Sequence, residues 1–228
     1  MAFGHWMEVN EGDVRLRMGP IKREDMARFV AAEAGHGMQS YEVVRYLGYC
    51  MPPTVEGEKT WWDKASEDSD KVRWGIYVPE GDDGWKLVGN TALSINTTDR
   101  RRAESGCVIF DRSAWGQRIA STSHLGRTRY GFEELDLLAI NSSAFTDNVG
   151  SNRALTGVGY VQTGSEYCRS VVAGQPIDTA NYLMVNPADE AWRYFWRRPE
   201  AEIPDAFHAA RERTRVALKR AATAVSFL

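Results

Sequence analysis

The sequence predicts a mixed α/β fold in one body, followed by a helical extension. Residues 14–18 alternate between apolar and charged side chains, which is typical of a strand with one buried face. Residues 117–135 instead place apolar side chains at helical spacing. Predicted strands follow one another directly in the first half of the chain and alternate with helices afterwards, and this order favours a mixed sheet.

Length and composition favour a single domain with an appended segment. The chain has 228 residues, 43% of them hydrophobic, which is enough to bury one sizeable core. We expect a domain over residues 1–187 and a helical extension over residues 188–228, because the composition shifts to tryptophan and arginine after Pro187. The net charge of −3 provides no overall positive field that would attract nucleic acid or an anionic membrane.

The cysteines and the amino-terminal segment predict a soluble, cytoplasmic protein. Cys50, Cys107 and Cys168 are odd in number and widely spaced, so they predict neither a disulfide framework nor a Cys-x-x-Cys metal site. Residues 1–17 mix charged and aromatic side chains and lack the apolar core of a signal peptide. No run approaches the roughly 20 apolar residues that a transmembrane helix needs.

The elements of the first half follow from local patterns. Gly19-Pro20 ends the first strand, Ser40 can cap a helix, and residues 80–84 (EGDDG) have the composition of a hairpin turn. The predicted elements are a strand over residues 14–18, helices over 23–34 and 40–48, a short helix or loop over 60–70, and strands over 74–78, 85–95 and 104–110.

From Gly116 onwards, the spacing of the apolar residues changes from that of a strand to that of a helix. The predicted elements are a helix over residues 117–135, a strand over 137–145, a short helix over 151–157, strands over 160–167 and 179–185, and a terminal helix over 205–225. The terminal helix has an apolar stripe and several basic residues. Such a helix indicates packing on the body or a homodimer contact, and nucleic-acid binding is the less favoured alternative.

Two segments resemble the GNAT acetyltransferases, most closely the subgroup that includes ribosomal-protein N-terminal acetyltransferases. Residues 106–121 (GCVIFDRSAWGQRIAS) resemble the family's fourth strand, pyrophosphate loop and helix start, and residues 147–164 (DNVGSNRALTGVGYVQTG) its Asn-x-x-Ser, apolar, Gly-aromatic signature. The resemblance covers roughly residues 14–185. It implies a GNAT-type fold and transfer of an acetyl group from acetyl-CoA to a primary amine, on a protein N-terminus or a small molecule, by direct attack in a ternary complex.

The resemblance and the physics of helix starts assign the cofactor-binding segment. Free N–H groups at a helix N-terminus bind anions, so we expect the loop to hold the diphosphate of CoA. Its residues are Trp115, Gly116, Gln117, Arg118, Ile119, Ala120, Ser121 and Thr122. The family's loop usually has glycine at its fourth position, which is Arg118 here; a guanidinium beside a phosphate could compensate. The alternative is an ordinary strand-turn-helix junction.

The pantetheine arm of CoA is assigned by the resemblance alone. In the family the fourth strand parts from the fifth, which implies that Cys107, Val108, Ile109 and Phe110 hold the arm through their backbone and that Asn148 contacts it. A backbone N–H there would also meet the thioester oxygen as it becomes an oxyanion. The alternative is that residues 107–110 form an ordinary buried apolar strand.

Two proton transfers need residues of their own. A base must deprotonate the amine, and Glu104 at the start of the fourth strand is the candidate, with a solvated carboxylate as the alternative. An acid must protonate the departing thiolate. The tyrosine that many family members place seven residues after the motif's Asn corresponds to Leu155 here, so the resemblance assigns the acid to Ser151 instead. Ser151 as a plain helix-cap residue is the alternative.

The acceptor is the least specified part. Trp61 and Trp62 could stack on a planar or cationic substrate, with hydrophobic packing as the alternative. The isolated histidines have no partners at ligand spacing, so we expect no metal. His124, one turn into the helix after Gly116, is expected at the surface, with a position facing CoA as the alternative. Two rival functions stay open: a related enzyme that modifies an amine on a nucleobase or RNA, and a noncatalytic acyl-CoA-binding protein.

Overall fold

The computed structural model describes residues 3–31, 37–47, 52–172 and 174–228. The strands in these residues are β1 (Met7–Glu11), β2 (Val14–Gly19), β3 (Lys71–Glu80), β4 (Gly84–Ile95), β5 (Arg102–Ile109), β6 (Ala139–Phe145), β7 (Val161–Val172), β8 (Gln175–Val185) and β9 (Val225–Phe227). The α-helices are α1 (Met26–Ala31), α2 (Tyr41–Val44), α3 (Val55–Glu67), α4 (Ile119–Arg129), α5 (Val149–Gly157), α6 (Asp189–Trp196) and α7 (Asp205–Ala224). A π-helical turn, Tyr130–Glu134, continues α4.

All of these strands form one sheet in the order β7-β8-β6-β5-β4-β3-β2-β1-β9. Every neighbouring pair is antiparallel except β5 and β6, which run parallel. The parallel pair follows from its connection, because α4 carries the chain from the end of β5 back to the start of β6. The prediction of a mixed α/β fold is confirmed.

The two faces of the sheet bury separate clusters. On one face α4 packs closely against β1 and β2 through Gly126: a Cβ atom there would lie 2.9 Å from Met7 Sδ and 3.0 Å from Met18 Sδ. A side chain at this position would therefore push the helix off the sheet. On the other face, α1 and the residues around it bury Phe29 against Phe110, with ring centroids 4.7 Å apart.

The C-terminal segment shares the main core. Ala217 and Ala221 of α7 are buried with residues of β1 and α4, and β9 pairs antiparallel with β1. Helix α6 buries Trp192 in a small cluster with Val185 and Ile203. Neither β1, β9 nor α6 was predicted from the sequence. The division at residue 187 stays a prediction, but residues 188–228 pack as part of the sheet assembly.

Predicted and observed elements agree best after Gly116. The terminal helix ends at Ala224, one residue before its predicted end, and the helix predicted over 117–135 is α4 plus the π-helical turn. Helix α3 begins at Val55, earlier than predicted. The ends of the helices predicted over 23–34 and 40–48 lie outside the described residues. None of the helices in the described ranges is long and apolar enough to cross a membrane.

Candidate active site

A cleft opens where β5 and β6 part. Their pairing runs from Arg102 and Ala139 to Ser105 and Ser142. Beyond this point β5 continues along β4 to Ile109, while β6 continues along β8. The first turns of α4 and α5 and residues of α2 border the opening, which has a volume of about 570 Å³. The predicted residues that line it are Cys107, Val108, Ile109, Trp115, Gly116, Arg118, Ile119, Ala120, Ser121, Asn148 and Ser151.

Backbone groups of β5 face this cleft. The Gly106 carbonyl points towards β4, where it accepts a hydrogen bond from Thr91 Oγ1 at 2.8 Å, and the Ser105 carbonyl accepts one from Ser142 Oγ of β6 at 3.2 Å. Successive peptide groups of a strand point in opposite directions. The N–H of Cys107 therefore points away from β4, at the position where β6 has already diverged.

The segment between β5 and α4 leaves a helix start without a side-chain cap. Asp111 accepts hydrogen bonds from Ser113 N at 2.9 Å and Ser113 Oγ at 2.6 Å and pairs with Lys86 at 2.7 Å. Burial alone would raise the pKa of Asp111, but hydrogen bonds from Lys86 and Ser113 outweigh it and lower that pKa. Helix α4 then begins at Ile119, and no side chain of its N-cap residue bonds to its first turn. The N–H groups of that turn can therefore bind an anion.

Arg118 occupies the position where the family usually has glycine. Its backbone is left-handed, with φ of 61°, a conformation that costs an L-residue free energy. Its guanidinium pairs with Asp13 at 3.2 Å and with Glu11 at 3.6 Å, both at the β1-β2 turn. The guanidinium is therefore already paired with two carboxylates. Its contacts give no support to the expectation that it binds a phosphate in place of the missing glycine.

Three other predicted cofactor residues lie outside the cleft lining. Gln117 donates to the Ser113 carbonyl at 2.6 Å, and the buried Thr122 hydroxyl donates to Glu11 at 3.3 Å. Phe110 is fully buried against Phe29, and its N–H donates to the Val88 carbonyl at 3.0 Å. The side chains of these three residues are therefore engaged in structural contacts.

The rim of the cleft is set by Trp115. Its Nε1 donates to the Ile109 carbonyl at 2.8 Å, which ties the loop to the last residue of β5. The ring is partly exposed and lines the cleft. The indole therefore fixes the distance between the strand and the start of α4.

The opposite wall is the start of α5. Asn148 caps the helix, with its Oδ1 accepting a hydrogen bond from Ser151 N at 3.1 Å. The Ser151 hydroxyl lines the cleft and has no hydrogen-bond partner among the described residues. Asn148, and not Ser151, is therefore the N-cap residue of α5. The Ser151 hydroxyl is free to contact a bound molecule.

Helix α4 buries two residues near the cleft whose burial the sequence did not reveal: His124, which lines the cleft, and Arg127, one turn further along the helix. His124 is buried, and burial first, then the nearby charge of Arg127, lowers its pKa well below the ordinary value. Arg127 is 1% exposed and donates to Thr91 Oγ1 at 2.7 Å and to the Gly106 carbonyl at 3.1 Å. A surface histidine was the expectation for position 124, and Arg127 was not singled out, since helical spacing alone does not identify a buried cation.

A second, polar cavity of about 540 Å³ adjoins the cleft, with Leu47 in the lining of both. Glu104 lines this cavity and has no ion-pair partner among the described residues. Glu166 also lines it and pairs with Arg169 at 2.8 Å. Glu104 and Ser151 therefore border different cavities, which adjoin at Leu47.

Trp61 and Trp62 line neither cavity in the described structure. The Trp61 ring stacks on Phe29 at 6.2 Å, and Trp62 Nε1 donates to the Ile21 carbonyl at 2.8 Å. Both side chains pack in the cluster beneath α1. Their contacts match the packing alternative, and no acceptor role follows from their position.

Cysteine and histidine positions bear on covalent and metal chemistry. Burial raises the pKa of the Cys107 thiol, which keeps it in the neutral, weakly nucleophilic form. Within the described ranges, no three or more His, Cys, Asp or Glu side chains converge as a metal site would require. His36 and Cys50 lie outside these ranges.

Comparison with known proteins agrees with this architecture. The family described as "Acetyltransferase (GNAT) domain" matches residues 15–161. The chain is 34% identical over 151 residues to the "Uncharacterized N-acetyltransferase YoaA" of Bacillus subtilis (strain 168), which covers 65% of this chain and 83% of that protein.

Solved structures with the same fold include a spermidine N-acetyltransferase from Vibrio cholerae in complex with CoA and spermine. It has a TM-score of 0.64 and 19% identity, covering 75% of this chain and 95% of that chain. An acetyltransferase (GNAT family) from Bacillus anthracis has a TM-score of 0.62 and 17% identity, covering 78% and 98%. The chain therefore belongs to the GNAT family of acetyltransferases and is an acetyl-CoA-dependent N-acetyltransferase.

Proposed function

We propose that this enzyme acetylates a small cationic primary amine by direct attack in a ternary complex. One observation carries the proposal: the cleft between the parted strands adjoins a polar cavity lined by the carboxylate of Glu104. The cleft receives the pantetheine arm of the donor, and the cavity supplies a negative charge for the amine. A donor and an acceptor can therefore approach the fork from two sides.

The cofactor side of the proposal uses backbone groups. The N–H groups of Ile119, Ala120 and Ser121 at the start of α4 bind the diphosphate of acetyl-CoA, aided by the helix dipole. The pantetheine arm lies along residues 107–109 as an added strand would. Asn148 and Trp115 border the arm on either side.

The reaction needs a balanced pair of proton transfers. Glu104, directly or through water, takes a proton from the ammonium form of the acceptor, and the free nitrogen attacks the thioester carbon. The C–N bond forms, the C–S bond breaks with its electron pair leaving on sulfur, and the nitrogen releases its second proton to solvent. Ser151 donates its hydroxyl proton to the thiolate and regains one from solvent.

Charge favours a cationic acceptor. Of the two carboxylates in the polar cavity, Glu166 is paired with Arg169, whereas Glu104 has no ion-pair partner among the described residues. The cavity is thus net negative and attracts an ammonium group. The spermidine N-acetyltransferase named above, whose complex contains spermine, supports a small-molecule amine.

A protein N-terminus is the second candidate acceptor. It is favoured by the resemblance of residues 148–151 to the Asn-x-x-Ser element of the ribosomal-protein subgroup. A nucleic-acid acceptor is less favoured, since Arg211, Arg215 and Arg220 of α7 form ion pairs within the chain. A homodimer through α7 is not part of the proposal, because Ala217, Leu218 and Ala221 of its apolar stripe pack in the chain's own core.

A thiol-release assay tests the proposal. Acetyl-CoA is offered with separate pools of polyamines, aminoglycosides, peptides with free N-termini, and RNA. We expect release of CoA with a pool of small cationic amines. Turnover with the peptide pool alone would assign the second candidate, and acetyl-CoA binding without turnover on any pool would contradict both.

A further inference from the structure

We propose that Arg127 is a positioning residue for acyl transfer: it polarises the Gly106–Cys107 peptide group, whose N–H faces the thioester oxygen. The inference rests on the proposed function, because it needs the acetyl group to lie beside β5. Arg127 itself does not contact the acetyl group. It acts from the far side of the strand, through the carbonyl of Gly106.

The contacts place the guanidinium on one carbonyl. Arg127 Nη1 lies 3.1 Å from the Gly106 carbonyl oxygen and 2.7 Å from Thr91 Oγ1. Thr91 Oγ1 in turn donates to the same carbonyl oxygen at 2.8 Å. The Gly106 carbonyl therefore accepts from a cation and from a hydroxyl that bonds to that cation, an arrangement in which each hydrogen bond strengthens the next.

The charge of Arg127 is not neutralised nearby. Its side chain is 1% exposed, it forms no ion pair with a carboxylate of the described residues, and its Nε and Nη2 atoms have no partner there. Burying a cation without a counter-ion is unfavourable, so a stability role alone does not account for it. The charge of Arg127 also acts on His124, which lines the cleft. Burial is the largest cause of the lowered pKa of His124, and the charge of Arg127 is the second.

The peptide bond transmits the effect to the cleft. In a trans peptide the C=O and the following N–H point in opposite directions, so a donor on the Gly106 oxygen makes the Cys107 N–H a stronger donor. That N–H faces the opening where β6 has diverged from β5. When the amine attacks, the carbonyl π pair moves onto the thioester oxygen, and a strengthened N–H stabilises the oxyanion.

The test compares Arg127→Met with Arg127→Lys. We expect Arg127→Met to lower kcat by about tenfold while the KM for acetyl-CoA changes less than about two-fold, since the contact acts in the transition state. Arg127→Lys keeps the charge and should recover most of kcat. Arg129→Met is the matched control, because Arg129 bonds instead to the Ala221 and Val225 carbonyls of the C-terminal segment.

An infrared measurement reports the polarisation without turnover. Acetyl-CoA labelled with carbon-13 at the thioester carbonyl is bound to each protein. The carbonyl band should shift to lower frequency on binding to the wild type and the lysine variant, and return towards the free position in Arg127→Met. If Arg127→Met does not fold, Thr91→Val, which removes the second donor to Gly106, should produce part of the same return.

The outcomes separate the two proposals. A wild-type band unshifted on binding, or a folded Arg127→Met protein with wild-type kcat and an unmoved band, overturns the role of Arg127. A shifted wild-type band that Arg127→Met abolishes supports it, even when no amine pool is turned over. In that case only the proposed acceptor chemistry fails.

Discussion

The hydroxyls of Tyr160 and Ser105 lie 3.0 Å apart, both buried. Tyr160 belongs to the Gly-aromatic pair that follows α5, and Ser105 is the last residue of β5 that pairs with β6. The contact therefore fastens the chain after α5 to the point where the two strands part. It explains structurally why an aromatic residue with a hydroxyl suits this position.

The first prediction concerns this contact. Tyr160→Phe keeps the ring but leaves the Ser105 hydroxyl without this partner, so we expect a loss of about 1 kcal/mol in the free energy of unfolding. Chemical denaturation measures it. Tyr167→Phe is the control, because Tyr167 is 81% exposed. Equal stabilities of the two variants would show that the buried pair contributes nothing.

The second prediction concerns the acid. Ser151→Ala should lower kcat by on the order of a hundredfold, because general acid catalysis contributes about that factor to the rate. The dissociation constant for acetyl-CoA should not change. Steady-state kinetics and calorimetric titration separate the two quantities. Ser66→Ala on α3 is the matched control. An undiminished kcat in Ser151→Ala removes this serine from the mechanism.

The third prediction concerns the acceptor carboxylate. Glu104→Gln keeps the size and removes the charge, so the KM for a cationic amine should rise and kcat should fall, each by roughly tenfold. The KM for acetyl-CoA should not change. Glu67→Gln, at the exposed end of α3, serves as the control. A variant with the wild-type KM for the amine would exclude Glu104 from acceptor binding.

The fourth prediction concerns the left-handed residue before α4. Arg118→Gly relieves about 1 kcal/mol of backbone strain and loses the ion pairs that the half-exposed guanidinium forms with Asp13 and Glu11, which together contribute up to about 1 kcal/mol, so stability should change little. Acetyl-CoA should bind at least as tightly. Arg118→Ala keeps the strain without the ion pairs and should be less stable than the glycine variant. A tenfold or larger loss of acetyl-CoA affinity in Arg118→Gly would instead indicate a direct guanidinium contact with the cofactor.

The fifth prediction concerns pH. The folded pKa of His124 lies well below its ordinary value of 6.5, so the unfolded chain binds a proton that the folded chain does not as the pH falls below 6.5. Stability contributed by the neutral ring is complete above pH 6.5 and decreases below it. Asp111, whose pKa is lowered from 3.8, loses its contribution only at more acid pH.

The measurement for His124 is the melting temperature between pH 6.5 and pH 5. We expect it to fall less steeply in His124→Gln than in the wild type. His5→Gln, an exposed position, is the control. Parallel profiles in wild type and His124→Gln would mean that His124 is not the group that titrates.

Local patterns in the chain were sufficient for most of the fold. The helix after Gly116, the strands on either side of it and the terminal helix follow from spacings of two and 3.6 residues, which the backbone itself imposes. The motif segments likewise placed Gly116 and Ser151 at helix starts, and the structure adds Asn148 as the N-cap of α5. Strand β9 was missed because it has three residues and pairs with β1, a segment distant in the sequence. Strand β1 was missed although it forms a hairpin with the neighbouring β2.

Contacts between distant segments decided the rest. Whether Arg118 faces a phosphate or the β1-β2 turn, and whether Trp61 and Trp62 face a substrate or Phe29, depends on which elements the fold brings together. The burial of His124 and Arg127 beneath β5 has the same origin. Helical periodicity states which face of α4 a residue occupies, but only the packed sheet determines that this face meets the Gly106 carbonyl rather than water.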